Sequence, residues 1–182
     1  MGNFAIRELE MGLKIIEPFF TEDNRGYFLK SYEKDIYREL GIENELSEVF
    51  ESYSHKDVIR GIHFQTKNPQ IKIVRAVTGK ILDVAVDLRK DSETFGKWFS
   101  VELSAENRLS LYIPKGFGHG FRVLSENAIV SYQCIGKYEK GSDTGIVWND
   151  KTLAINWGIE NPIVSERDNA LMRLAEYVKV LN

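Results

Sequence analysis

The stretch "IKIVRAVTGKILDVAVDLRKDSETFGKWFSVELS", residues 71–104, decides the fold class. Short runs rich in Val, Ile, Leu and Phe alternate with turn signals: "IKIVRAV" gives way to "TGK", "ILDVAVDLR" to "KDSETFGK" and "WFSVELS" to "AEN". Branched and aromatic side chains suit a pleated surface, while Gly, Asn and Asp punctuate it. The following "RLSLYIP" before "KGFGHG" keeps the spacing, so the chain is predicted to be mainly β, as a sandwich or barrel. Within "ILDVAVDLR", Leu82, Val84, Val86 and Leu88 fall on one face and Asp83, Ala85 and Asp87 on the other. One face is predicted to be core and the other to meet something polar.

Helices flank this body. "SYEKDIYRELG" (31–41) predicts a short helix stopped by Gly41, and "SERDNALMRLAEYVKVL" (165–181) predicts a longer one with Ser165 as its N-cap. No internal repeat or linker-like stretch divides the chain, and residues 1–182 are predicted to form a single domain with a sizeable core.

Composition narrows the function classes. A formal charge of −3, with acids and bases interspersed, gives no basic stripe for nucleic acid and no polybasic membrane patch. An anionic ligand must then be met by a few well-placed cations. Cys134 is the only cysteine, so neither an internal disulfide nor a thiolate cage is available, and a reducing cytoplasm is the expected compartment. "MGNFAIRELEMG" lacks a signal-peptide apolar run, and no segment has the length of a membrane span.

The unusual polarity lies in "VIRGIHFQ" (58–65), where Arg60, Gly61, His63 and Gln65 interrupt Val58, Ile59, Ile62 and Phe64. His63 and His119, the latter in "IPKGFGHGF", both sit among glycines that permit close approach, whereas His55 reads as loop. A metal site is disfavoured, because histidine-metal barrels of the cupin type usually supply a His-x-His pair and the residue two beyond His63 is Gln65. A proton-transfer site asks for less: a base near neutral pKa, a carboxylate to orient it, a donor where negative charge develops, and a second proton carrier. His63, Lys72 and Tyr132 supply three of these types. Taken alone, Lys72 also reads as a solvent-facing lysine and Tyr132 as a packed aromatic.

"DNRGYF" (23–28), "VIRGIHFQ", "QIKIVRAVTGKILDVAVDLRKDSETFGKW", "LSAEN", "IPKGFGHGF", "IVWND" and "SERD" together resemble the dTDP-4-dehydrorhamnose 3,5-epimerase family, in family order from about residue 10 to 170. The resemblance implies a double-stranded β-helix (cupin jelly roll), a homodimer, no metal or organic cofactor, and a nucleotide-linked 4-keto-6-deoxy sugar as substrate in deoxysugar or surface-polysaccharide biosynthesis. It implies His63 as base, Asp168 as its orienting carboxylate, Lys72 as the group beside the enolate oxygen, and Tyr132 as proton donor from the opposite face. Asp168 also reads as part of a capping box with Ser165. Binding roles follow in the same way: Arg60 and Gln65 in the cavity, Arg25 for phosphate, His119 near the sugar, Tyr138 as a nucleobase surface, and Asp143 and Arg167 at the rim. Arg25 and Tyr27 are expected to cross to the partner's site.

The chain departs from the family at Lys30, where a glutamate is common, and at Glu48 and Phe50, where a Gln-x-Asn pair is common. A lysine and a carboxylate suit the acceptor and amino donor of cytosine, which raises a CDP-linked sugar as an alternative to thymine; a local Lys30–Glu48 ion pair accounts for the same residues. A 3,4-ketoisomerase and a sugar-nucleotide binding module are the other readings of this scaffold. Whether C3, C5 or both are inverted stays open.

Overall fold

The computed structural model describes residues 4–39, 41–42 and 45–181. In chain order its elements are β1 (Ala5–Glu8), β2 (Lys14–Glu17), β3 (Phe19–Asp23), β4 (Gly26–Lys30), α1 (Lys34–Glu39), β5 (Glu48–His55) and β6 (Ile59–Gln65). They continue with β7 (Ile71–Thr78), β8 (Lys80–Asp87), β9 (Trp98–Ser104), β10 (Ser110–Ile113), β11 (Phe117–Val123), β12 (Asn127–Ile135), β13 (Asp143–Gly145), α2 (Glu166–Asn169) and α3 (Leu174–Leu181). The strands form a six-stranded sheet, β1-β2-β10-β7-β12-β5, and a five-stranded sheet, β13-β6-β11-β8-β9, with β3 and β4 paired as a separate hairpin. All pairings between these strands are antiparallel, and the mainly β jelly roll expected from the sequence is what forms.

The period-2 pattern explains the layers. On β7 and β12, Val74, Ala76, Ala128, Val130 and Cys134 turn inward to meet Ile81, Ala85, Phe117 and Phe121 of the opposing sheet. Their neighbours Ile71, Ile73 and Ile135 turn outward, where Tyr37 of α1 and Ile42 cover them. On the far side, Ile59, Ile62 and Phe64 of β6 pack with Val84, Val86 and Trp157, so the segment after β13 and α3 seal that face.

Both faces of β8 are therefore buried. Asp83 and Asp87 are fully inaccessible; protein groups hold both oxygens of Asp87, whereas only Oδ2 of Asp83 has a partner. Asp87 accepts from Arg89, Ser92 and Thr94, which shapes the 88–97 turn; Asp83 faces His119.

The predicted helix over 165–181 divides. Ser165 does cap, its hydroxyl accepting from the Asp168 N–H, but the chain then extends so that Met172 bridges Ile146 and accepts from the Val147 N–H before α3 begins. Asp150 caps the new start by accepting from the Leu174 N–H. Extended pairing at Met172 uses backbone groups that a continuous helix would have kept for itself.

The segment that positions the site is the irregular pairing of β6 with β11. His63 lies opposite His119 and Arg60 opposite Phe121, so three steps on β6 match two on β11. The extra residue is a β-bulge that brings Arg60 and His63 to the same side of the strand. Gly61 makes this possible: its φ is +119°, and a Cβ there would lie 2.5 Å from Gly120 Cα and 2.7 Å from the His119 carbonyl oxygen. Gly61→Ala is expected to destabilise the fold by about 2 kcal/mol or more, read as a lowered denaturant midpoint; an unchanged midpoint would mean that the bulge relaxes at no cost.

Candidate active site

At one end of the space between the sheets the apolar filling stops and a cavity of about 400 Å³ opens. The change is visible along β7, where inward-facing Ala76 and Val74 are followed by Lys72 at the cavity wall. His63, Lys72, His119 and Tyr132, contributed by four different strands, all line it.

His63 is held from outside the sheet. Its Nε2 lies 2.8 Å from Asp168 Oδ1, while Asp168 Oδ2 accepts from the Gly61 N–H at 3.1 Å. The two sequence readings of Asp168 thus divide between its atoms: its backbone N–H is the capped one, and its carboxylate serves β6. The Asp168 side chain is nearly inaccessible, whereas the His63 ring is partly open to the cavity. Burial of Asp168 raises its pKa, but the hydrogen bond and charge of His63, the Gly61 N–H and Arg167 outweigh this and hold the carboxyl below its ordinary value.

Opposite, Tyr132 is almost wholly buried. Desolvation, helped by the charge of Asp83, pushes its phenol well above the usual range against the opposing effects of Ser52 and Arg60, so the hydroxyl stays protonated. Lys72 is shifted down by burial, with Cys134, Asp143, Asp83 and Glu48 working the other way. His119 Nε2 is 2.8 Å from Asp83 Oδ2, a second histidine–carboxylate pair behind the cavity wall. Asp83 was absent from the sequence candidates; the signal was its place in an otherwise apolar alternating strand.

The remaining candidates fall into three groups. Arg60 reaches the cavity while its guanidinium donates to Ser54 Oγ at 2.9 Å and the Tyr53 carbonyl at 3.1 Å. Asp143, Arg167 and Tyr138 meet at the mouth, with Arg167 donating to Asp143 at 2.6 Å. Gln65 lines the cavity too, but its amide donates to the carbonyls of Asn68 and Lys137 and accepts from the Glu139 N–H, so it fixes the loop that carries Tyr138.

Three candidates lie away from this cavity within one chain. Arg25 and Tyr27 sit on the β3–β4 hairpin, Arg25 with 86% of its side chain exposed and paired to Asp23. Lys30 pairs with Glu33, while Glu48 lines the cavity and accepts from Gln70 at 2.8 Å, so the local Lys30–Glu48 ion pair does not form. Among the described residues, no group of three or more His, Cys, Asp or Glu is arranged to hold a metal ion, and no helix is long and apolar enough to cross a membrane.

Residues 9–176 match the sequence model of the dTDP-4-dehydrorhamnose 3,5-epimerase family. The chain belongs to this family. It is 45% identical over 168 residues to the dTDP-4-dehydrorhamnose 3,5-epimerase of Methanothermobacter thermautotrophicus, covering 91% of each chain. It is 45% identical over 156 residues to that of Shigella flexneri, covering 85% of this chain and 86% of the relative. The crystal structure of a Legionella pneumophila dTDP-6-deoxy-D-glucose-3,5-epimerase in complex with dTDP-4-keto-L-rhamnose superposes with a TM-score of 0.91 at 40% identity, covering 95% of this chain and 94% of that one. In this epimerase family member, the cavity at the open end of the jelly roll is the candidate active site.

The lowered carboxyl of Asp168 has a stability consequence of definite sign. Its ionised form stabilises the fold above its unfolded pKa of about 3.9, and that contribution is lost as pH falls from there towards the lower folded value. Asp168→Asn is therefore expected to be less stable than the parent near neutral pH, with the difference shrinking below pH about 4, as followed by denaturant unfolding across pH. A constant difference would assign the effect to shape rather than charge.

Proposed function

We propose that the chain inverts C3, C5 or both in a thymidine-diphosphate-linked 4-keto-6-deoxy sugar, by removing a proton to give an enolate and returning one to the opposite face. The observation that carries this reading is the placement of a carboxylate-held histidine and a protonated tyrosine in one cavity. The C4 keto group acidifies the C–H bonds on both flanking carbons. His63 takes the proton, with the resulting imidazolium stabilised by Asp168; the electron pair moves into the C4 oxygen, where Lys72 donates a hydrogen bond. Tyr132 then gives its proton to the other face of the carbon. A single base returning its own proton would restore the starting configuration, so the second protonic group is what makes inversion possible.

Arg60 and Arg167 supply the cations for the diphosphate, and Tyr138, half-exposed at the mouth, offers its ring to the base. Glu48 accepts from thymine N3–H; Lys30, which a cytosine ring nitrogen would need, is engaged by Glu33. The names of the relatives favour thymine too. The working unit is a homodimer. Edge strand β5 exposes Val49 and Tyr53 on its outer face, and the exposed hairpin carries Arg25 and Tyr27 towards a neighbouring site. The lone buried Cys134 suits a reducing cytoplasm.

Incubation in D₂O with dTDP- and CDP-linked 4-keto-6-deoxyglucose tests this by NMR of the sugar protons. Deuterium entry with inversion is expected for the dTDP sugar, and His63→Ala is expected to lose both by 10²–10⁴-fold, roughly the range for a general base. Tyr132→Phe should keep exchange while inversion falls by a similar factor. A migrated carbonyl would identify a ketoisomerase, and binding without deuterium entry a non-catalytic module. Sedimentation at a dimer mass, with a raised KM for Arg25→Ala, is the expected result for the shared site; a monomer with unaltered KM would refute it.

A further inference from the structure

Phe50 has no evident reason to be aromatic. It is 45% exposed on β5, an edge strand, at the margin of the apolar cluster that contains Tyr132. Its neighbours on the same strand face, Glu48 and Ser52, are polar, and all three line the cavity. What Phe50 does touch is Tyr132. The two residues are direct cross-strand partners, and their rings stack with centroids 4.7 Å apart and planes 14° from parallel. On another side of Tyr132, His119 presents its ring edge-on, with centroids 5.8 Å apart at 76°.

We propose that Phe50 is a positioning residue that blocks the swing of the Tyr132 ring about its Cα–Cβ bond and so aims its hydroxyl at the reacting carbon. This rests on the role assigned to Tyr132 above. A tyrosine ring pinned only by its Cα–Cβ bond sweeps its hydroxyl along an arc; a stacked partner on one face and an edge contact elsewhere leave one direction. Proton delivery depends steeply on such aim, because displacement by about 1 Å can cost 10²-fold. His63 and Asp168 belong to β6 and α2 and are fixed by their own hydrogen bonds. Loss of the flat partner therefore weakens protonation by Tyr132 and leaves proton removal by His63 intact.

The partition between two outcomes in D₂O reads this directly. After His63 removes a proton, the enolate either regains deuterium on the same face or is protonated from the Tyr132 face. Phe50→Leu keeps apolar bulk and removes the flat ring; it is expected to lower the ratio of inversion to exchange with retention about tenfold, with total proton removal within about twofold of the parent. Phe50→Tyr keeps the ring and is expected to restore the ratio. Parallel loss of exchange and inversion in Phe50→Leu, or a ratio that both variants leave unchanged, would overturn the proposal. Absence of deuterium entry in the parent would instead overturn the epimerase reading itself.

Discussion

The carboxylate of Asp168 joins two parts of the chain that lie 105 residues apart, and the site depends on that joint. One oxygen holds the imidazole of His63; the other accepts from the N–H of Gly61, the residue at which β6 departs from regular pairing. A buried carboxylate without such partners would be costly, and a buried histidine without one would have no preferred orientation. The bulge, the ring and the helix that carries Asp168 therefore stand or fall together. That coupling also explains why the helix is so short: its task is to present one side chain to the sheet, after which the chain leaves to pair at Met172.

Much of this arrangement was legible in the residues. Alternation over 71–113 gives the strands, and in "VIRGIHFQ" the apolar Ile59, Ile62 and Phe64 pack as expected while His63 and Arg60 face the cavity. That assignment departs from strict period 2, since Arg60 and His63 are three apart, and the interrupting Gly61 was the visible sign that the register changes. The cavity's polar lining follows from the same pattern, with Lys72 as the inward residue next after Val74.

Other features depend on contacts that no local pattern encodes. The break between α2 and α3 arises from a bridge to Ile146, far away in sequence. Asp83 fell on the face expected to meet something polar, but its partner His119 comes from another strand, which alternation within one strand does not identify. Gln65 shows the reverse case: it reads as a ligand group and lines the cavity, yet its amide is consumed by the 68 and 137–139 backbone. Arg25 and Tyr27 read as ligand groups in the sequence, yet within one chain the hairpin that bears them is not part of the cavity lining.

The barrel is filled unevenly along its axis, and this divides its tolerance to change. At the closed end Val74, Ala76, Ile81 and Val123 interlock, so a substitution there disturbs neighbours in both sheets. At the open end Glu48 and Phe50 sit on an edge strand with one side in solvent, where new side chains displace little. The family departures noted in the sequence, at positions 30, 48 and 50, all lie outside the interlocked end. Such a molecule can accept new side chains at its rim while its interior keeps the architecture, so that recognition and foldability are carried by different parts of one short chain.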